Sequence, residues 1–505
     1  MGKDKTRVIL LLLAVITVSV LIFAAAAYFA HAPRKTLGYT DKEDFSGILV
    51  PGAENEGLFF DLEGFVSGSG VFIFLPSSVN GSKLVFYSTD KEGTLLERFE
   101  HDFNEGPFEI QGVPVNMMQS GLPSVELSIS PTSPGLSEIE ASDDHDLSTR
   151  GRATFTDLDG LPVTEGMTLR GRGNTSWQED KKSYQVSLAR PKDVFGMGLG
   201  EDWVLLSNAA DHSLLRNEVF LSLAEDLELE FTPKLREVDL FIDGEYRGVY
   251  SLATRVETGK YRVDIGKNDY LYRIGVDKDQ YTFLLFDDPE KKDRKEYQPV
   301  YGELRDTRDR VRIERSIPFV KTIIEEMYDE NSDLTGCDLK SFARYYWLQE
   351  FSKTTDPALR SVYMYWRNDN QTMYMGPAWD YDRTAGIIEM PFREEDYLWP
   401  DGWTARTQDY YSRMIKNPVF IKAIEEEYRN GGVREAFMKV SEELPLRIEN
   451  IRAGAAMNFI RWDISGIEEN NKVASVYGDN SFESHIKWLT DWINLRIEWI
   501  EKEMG

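Results

Sequence analysis

The spacing of apolar residues changes along the chain, and each change predicts a different kind of structure. Between about residues 47 and 119, short β-rich runs such as VFIFL at 71–75 and KLVFY at 83–87 alternate with Gly, Pro, Asn and Ser. This pattern is typical of a small β-sandwich. It contains no catalytic motif, so we expect this part to act as a spacer or a binding module.

Strand patterns return at 150–190 and at 235–275, and Asp243-Gly244 predicts a hairpin turn in the second stretch. Residues 213–227, between them, carry apolar side chains at helical spacing. A strand-like stretch at 360–382 lies further along. The pattern after about residue 315 is otherwise helical, in segments near 316–330, 338–352, 406–428, 433–462 and 481–504. In the last segment three tryptophans share one helical face, which predicts core packing.

This order of elements predicts an α+β fold with two lobes, one β-rich and one helical, and a cleft between them. At 505 residues the chain is too long for one hydrophobic core. We therefore expect a cytoplasmic stub and transmembrane anchor at 1–35, a linker and β-rich accessory domain at 36–119, and the two-lobed domain at 120–505.

The N-terminal segment is apolar and long enough to span a membrane. No charged residue stands between Val8 and Ala30, and a helix of this length crosses a hydrocarbon layer of about 30 Å. Basic residues precede the segment, which places the N-terminus inside and the body outside the cytoplasm. A cleaved signal peptide is the alternative, because AHA at 30–32 resembles a cleavage site.

Composition excludes several classes of function. The formal net charge of −28 argues against a nucleic-acid partner, since binding to phosphate backbones requires clustered Lys and Arg. The single cysteine, Cys337, cannot form an internal disulfide. Five histidines are scattered along the chain, without the spacing of a zinc site or a His-based triad.

A glycine-rich motif is the first candidate site. It reads RGRGNTSW at 170–177 and is followed by Lys181 and Lys182. Glycines let backbone N–H groups approach an anion, and a lysine on the next strand can neutralise phosphate charge. A glycine-rich hairpin with exposed lysines is also common as plain structure, so this motif alone leaves both interpretations open.

Three aspartates form the second candidate site. Asp380 and Asp382 stand at i and i+2 in WDYD, and on an extended strand they would point the same way and share a cation such as Mg²⁺ or Mn²⁺. Asp356 lies upstream at the end of a predicted helix, where it could return to the same cleft. Phosphoryl transfer needs such a set, with one carboxylate to accept a hydroxyl proton and others to hold the metal. Capping or salt-bridging roles for the pair remain the alternative.

Taken together, the motifs resemble the spore coat protein H (CotH) kinase family over roughly residues 121–500. The resemblance rests on RGNTSW at 172–177, KK at 181–182, WVLLSN at 203–208, SLLRN at 213–217, GVY at 248–250, WDYD at 379–382 and AAMNFIRW at 455–462.

The resemblance implies an atypical, secreted protein-kinase-like fold that transfers phosphate from ATP to Ser or Thr hydroxyls of proteins with Mg²⁺ or Mn²⁺. It implies that Asp356 is the catalytic aspartate and that Asp380 and Asp382 bind the metal. The remaining matched positions would bind the nucleotide: Arg172, Asn174, Lys182, Arg216 and Asn217.

The chain departs from the family at three positions, and these departures keep alternatives open. Thr354 stands where many members have Asn, Thr254 stands where many have Glu, and Arg273 replaces a frequent Glu. A pseudokinase or a surface binding protein of the same fold is therefore the main alternative to an active kinase. A glycosidase is a third class, because paired carboxylates and many tryptophans suit sugars.

Overall fold

The computed structural model describes residues 46–79, 81, 83–142, 147–173, 175–288, 298–305, 307–387, 397–465 and 472–505. The predicted membrane-spanning segment, Val8–Ala30, lies outside the described residues. Within the described ranges, no helix is both long and apolar enough to cross a membrane. The predicted α+β composition is confirmed.

The first part of the described chain forms two four-stranded sheets around one hydrophobic core. Strand β4 is buried along its whole length, which explains its continuous apolar run. The ring of Phe74 lies 4.5 Å from that of Tyr246, so this part packs against the next one. The sheets have the orders β2-β1-β5-β6 and β3-β4-β8-β7. Their strands are β1 Gly47–Val50, β2 Leu62–Glu63, β3 Phe65–Ser67, β4 Gly70–Leu75, β5 Lys83–Thr89, β6 Leu95–Asp102, β7 Phe108–Ile110 and β8 Val113–Gln119.

Seven strands of the next part close into a barrel of order β10-β11-β12-β13-β15-β14-β9. The barrel closes because β9 pairs with β10 on one side and, in parallel, with β14 on the other. Alternate apolar residues such as Leu169, Val186 and Leu205 fill its interior. The predicted hairpin at Asp243-Gly244 is confirmed and joins β14 to β15. The strands are β9 Ser124–Ile129, β10 Ser148–Thr156, β11 Pro162–Arg172, β12 Ser183–Asp193, β13 Leu199–Leu206, β14 Leu235–Ile242 and β15 Glu245–Thr254.

A five-stranded sheet of order β17-β18-β16-β19-β20 follows the barrel. Its central strand β16 pairs with β19, so a segment near residue 270 lies beside one near residue 365. Strand β19 lies between Asp356 and Asp380 in the sequence, so its pairing brings β16 close to the segments that carry the predicted aspartates. The strands are β16 Tyr270–Gly275, β17 Thr282–Phe286, β18 Val300–Leu304, β19 Val362–Arg367 and β20 Thr372–Met375.

Helices make up most of the remaining described chain. The predicted segment 316–330 begins earlier, as α3, because Asp309 caps it by accepting from the Val311 amide. The predicted segment 406–428 is divided, because Asn417 caps a new helix that starts with Pro418. The helices are α1 Leu136–Glu140, α2 Arg216–Asp226, α3 Arg310–Tyr328, α4 Leu339–Ser352, α5 Tyr411–Met414, α6 Pro418–Asn430, α7 Val433–Arg461, α8 Lys472–Tyr477 and α9 Phe482–Met504.

Two motifs that are distant in sequence meet where α7 packs on β15. Asn458 of α7 accepts hydrogen bonds through Oδ1 from the Val249 amide, at 3.1 Å, and from Lys181 Nζ, at 2.8 Å. Gly248 has a φ of +102°, and a Cβ atom there would lie 2.5 Å from Asn458 Oδ1. Only glycine fits this close approach, so GVY at 248–250 and AAMNFIRW at 455–462 are two halves of one junction.

Candidate active site

The WDYD motif forms a loop after β20, so the prediction that it lies on a strand is wrong. Strand β20 ends at Met375, and Asp380 has a left-handed φ of +74°. The rule that i and i+2 side chains share a face therefore does not apply here. Asp380 is exposed, and its Oδ2 accepts a hydrogen bond of 2.7 Å from Ser361 Oγ, while Asp382 is partly buried.

The two carboxylates nevertheless interact electrostatically. Burial raises the pKa of Asp382, and the neighbouring charge of Asp380 raises it further. A bound cation would relieve this repulsion, and oxygen ligands suit Mg²⁺ or Mn²⁺. No cluster of three or more His, Cys, Asp or Glu side chains fit for a metal occurs in the described residues. If Asp380 and Asp382 held such a cation, water or a substrate's oxygens would have to supply the rest of its coordination.

Asp356 follows α4, as predicted. Helix α4 ends at Ser352, and Lys353 turns the chain with a left-handed φ of +47°. Arg360 Nη1 lies 3.6 Å from Asp356 Oδ1. Because Ser361 follows Arg360 and binds Asp380, the Asp356 loop and the WDYD loop are neighbours. The structure therefore brings the three predicted aspartates into one region.

A cavity of about 270 Å³ lies beside these loops and is lined by basic side chains. Arg172 connects the two features, since its guanidinium lies 5.0 Å from the ring of Trp379, the residue before Asp380. Burial lowers the pKa of Arg172, whereas Tyr363 and Asp380 act to raise it. Arg172 is therefore close enough to the WDYD loop to interact with it electrostatically. The cavity-lining residues, called the arginine pocket below, are Arg170, Gly171, Arg172, Gly173, Gln185, Arg255, Arg305 and Arg308.

The arginine pocket has hydrogen-bond donors left over for a ligand. Nε of Arg305 is buried and has no hydrogen-bond partner among the described residues. Arg172 stacks on Trp379, and the described residues give its guanidinium no hydrogen bond or ion pair. A guanidinium presents five N–H donors that match carboxylate and phosphate geometry. The pocket is therefore built for an anion, in a protein that is itself strongly acidic.

One buried carboxylate organises the side of the pocket that comes from the five-stranded sheet. Glu303 accepts from Arg273 Nε at 2.9 Å, from Arg305 Nη1 at 3.1 Å and from Arg308 Nη1 at 2.8 Å. Although burial opposes its ionisation, Arg305 and Arg273 keep the pKa of Glu303 below its ordinary value. Arg273 thus supports the arginine pocket through Glu303, its cross-strand partner.

The other predicted nucleotide-binding residues have partners inside the protein. Lys182 Nζ donates to the Trp177 carbonyl at 2.8 Å. Arg216 is fully buried, pairs with Asp211, and donates to the carbonyls of Thr384 and Ala385. Arg216 therefore holds the backbone of the two residues Thr384 and Ala385, which follow WDYD, from the buried side.

Asn217 binds the WDYD loop directly. Its Oδ1 accepts from the Tyr381 amide at 2.9 Å, and its Nδ2 donates to Asn208 Oδ1 at 3.2 Å. Asn174 lies outside the described residues. A nucleotide role for Lys182, Arg216, Asn217 and Asn174 stays a prediction.

Most of the arginine pocket was missed by sequence reasoning. Arg170 stands two residues before Arg172 on β11 and so shares its face, which is a signal that the sequence contains. Arg255, Arg305 and Arg308 come from other segments, and only the fold brings them together.

Residues 169–500, well over half of the chain, match the sequence profile of the family described as CotH kinase protein. The chain belongs to the CotH kinase family. The resemblance drawn from the motifs is thereby confirmed. No curated protein matches the chain. Within this CotH kinase family member, the matched range contains the barrel strands from Leu169 onward, the arginine pocket, the three aspartates and nearly all of the helical part.

Proposed function

We propose that this member of the CotH kinase family is an ATP-dependent protein kinase that phosphorylates Ser or Thr hydroxyls of other proteins. The observation that carries the proposal is the contact of Arg172 with Trp379, because it joins the arginine pocket to the WDYD loop. Phosphoryl transfer consists largely of positioning and charge stabilisation, which a basic pocket beside metal-binding carboxylates supplies.

The arginine pocket suits the phosphate chain of the donor. Its lining consists of arginines, glycines and Gln185, so it offers charge and hydrogen bonds rather than apolar surface. Asp380 and Asp382 would hold a divalent ion at the end of the arginine pocket where Arg172 contacts Trp379. When bound, such an ion neutralises charge on the transferring phosphate.

Asp356 is the proposed proton acceptor. The acceptor hydroxyl oxygen attacks the γ-phosphorus, the bond from that phosphorus to the bridging β-phosphate oxygen breaks, and ADP leaves with that oxygen. The hydroxyl proton passes to a carboxylate oxygen of Asp356. Arg360 Nη1 lies 3.6 Å from Asp356 Oδ1 and forms an ion pair with the proposed proton acceptor.

A pseudokinase or surface binding protein is the second candidate function. It is favoured by Arg273, which stands where many relatives have Glu and whose Nε donates to Glu303. Among the described residues, the lining of the arginine pocket contains five arginines and no carboxylate. Such a protein would bind nucleotide without transferring phosphate.

Membrane anchoring by Val8–Ala30, with the body outside the cytoplasm, completes the proposal; it rests on the uncharged run in the sequence. Protease added to intact cells should then digest the body of the full-length chain. Complete protection in intact cells, with digestion after lysis, would contradict this location.

Nucleotide binding tests the metal assignment. Asp380→Asn should remove the Mg²⁺-dependent part of ATP binding, measured by calorimetry with and without the ion, and should leave the melting temperature nearly unchanged because Asp380 is exposed. Asp369→Asn, at an exposed aspartate in the turn between β19 and β20, is the matched control and should bind like wild type. Unchanged Mg²⁺-dependent affinity in Asp380→Asn would remove the carboxylate loop from the proposed site.

A further inference from the structure

Tyr381, the residue between the two metal-binding aspartates, is held at both ends. Its side chain is only 1 % exposed. Its backbone amide donates to Asn217 Oδ1 at 2.9 Å, and its hydroxyl donates to Gln349 Oε1 at 2.9 Å. Asp380 and Asp382, on either side of Tyr381, are therefore attached to a backbone segment that these two hydrogen bonds hold in place.

Gln349 extends this contact to the Asp356 loop. It lies on α4, is 3 % exposed, and its Nε2 donates to the Pro357 carbonyl at 3.1 Å. Pro357 directly follows Asp356. One buried side chain therefore binds the WDYD loop through its oxygen and the Asp356 loop through its nitrogen.

Asn217 extends the contact in the other direction, to the barrel. It donates to Asn208, whose Nδ2 donates at 2.7 Å to Ser251 Oγ on β15. These groups are all buried, so each hydrogen bond forms where water cannot replace it. The chain of bonds runs from the barrel, through Tyr381, to the loop that carries Asp356.

We propose that Gln349 and Tyr381 are positioning residues that fix the distance between Asp356 and the pair Asp380 and Asp382; this rests on the proposed function. In the proposed reaction, Asp356 must meet the acceptor hydroxyl while the other two hold the donor's metal. A displacement of about 1 Å between such groups can cost about 100-fold in rate without loss of binding. Gln349 lies where it can prevent this displacement, although it touches neither substrate.

Tyr381→Phe tests the link most selectively, because it removes the hydroxyl and keeps the ring, which packs 5.8 Å from Phe220. We expect faster hydrogen exchange of the amides at 353–361, a fall in kcat of about 10- to 100-fold, and a Kd for Mg·ATP within about 3-fold of wild type. Tyr272→Phe is the matched control. It removes one hydrogen bond of a fully buried tyrosine, to the Ser316 carbonyl, in the same hydrophobic core.

Gln349→Met provides the second variant, since methionine fills a similar volume without either hydrogen bond. Because both variants break the same link, the double variant should have the kcat of Gln349→Met alone rather than the product of the two losses. Losses that multiply would show that Gln349 and Tyr381 act separately and would overturn the proposal.

Two further results would overturn it. One is a Tyr381→Phe protein whose exchange at 353–361 and kcat match those of Tyr272→Phe. The other is a loss of Mg·ATP affinity as large as the loss of kcat, since this would make Tyr381 part of the metal site itself. If the wild type transfers no phosphate, the proposed function fails, and the exchange comparison still decides whether the two loops are coupled through Gln349.

Discussion

Arg172→Gln is the most informative single change in the arginine pocket. Arg172 stacks on Trp379, and the described residues offer its guanidinium no hydrogen bond or ion pair. The folded protein therefore loses mainly a cation–π contact, which contributes about 0.5–1 kcal/mol at a partly exposed site. We expect the melting temperature to fall only slightly.

Nucleotide affinity should fall much more. A hydrogen bond to a charged group contributes about 1.5–3 kcal/mol, and each 1.4 kcal/mol changes Kd about tenfold. If Arg172 contacts phosphate, the Kd for Mg·ATP should rise about 10- to 150-fold in Arg172→Gln.

Calorimetry with Mg·ATP measures this change, and Arg190→Gln is the matched control. Arg190 has a side chain that is 76 % exposed and pairs with Glu165, and it does not line the arginine pocket. Its removal also lowers the net charge by one, but at physiological salt charges beyond about 8 Å are screened. An equal Kd in Arg172→Gln and Arg190→Gln would refute the assignment of phosphate to the pocket.

Three further substitutions test buried contacts that hold the fold together. Arg216→Met should lower the free energy of unfolding by about 3–5 kcal/mol, measured by urea denaturation, because Asp211 would stay buried without its partner; a loss below 1 kcal/mol would contradict this role. Gly248→Ala should lower the free energy of unfolding by at least about 2 kcal/mol, through left-handed strain and the clash with Asn458. Gly160→Ala, also at a left-handed glycine but in open space, should lower it less. Equal losses of stability in the two variants would show that the clash is absent. Burial raises the pKa of Asp239 to about 7, so its contribution to stability is present below pH 4 and is lost as the pH rises towards 7. Asp239→Asn should therefore gain stability relative to wild type between pH 4.5 and pH 7.5, and a constant difference would refute the raised pKa.

Local patterns in the sequence predicted most of the helices. Trp488 and Trp492 are buried and Trp499 packs against the same core, as their shared helical face predicted. Asp309 and Asn417 moved helix boundaries because capping depends on one side chain, which an apolar pattern does not register.

The barrel could not be predicted because its closure depends on a distant pair. Strand β9 joins β14 in parallel across more than one hundred residues, and no local pattern encodes that partner. The same holds for the arginine pocket, since Glu303 of β18 binds Arg273 of β16 and two arginines of the loop that follows β18. The strand predicted at Asp380 failed for a different reason, because β20 ends at Met375 and both Gly376, with a φ of +114°, and Asp380 take positive φ values.

Lysine placement shows the limit of a motif. Both lysines of KK at 181–182 fit a phosphate contact in the sequence, yet Lys181 is buried in the junction of β15 and α7, where its Nζ donates to the Val249 carbonyl and to Asn458. Lys182 donates to the Trp177 carbonyl. Both lysines stand just before β12, which begins at Ser183, so the turn that leads into the strand sets the direction of each side chain.

Phosphotransfer by wild type and by Asp356→Asn, followed as autophosphorylation with Mg·ATP, tests the central claim most directly. A proton acceptor acts in the transition state, whereas metal and phosphate contacts already act in the bound state. We predict that Asp356→Asn binds Mg·ATP with nearly the wild-type Kd and transfers phosphate at least about 100-fold more slowly. Equal transfer rates in the two proteins would contradict the role of Asp356, and nucleotide binding by wild type without transfer under Mg²⁺ or Mn²⁺ would contradict the kinase itself.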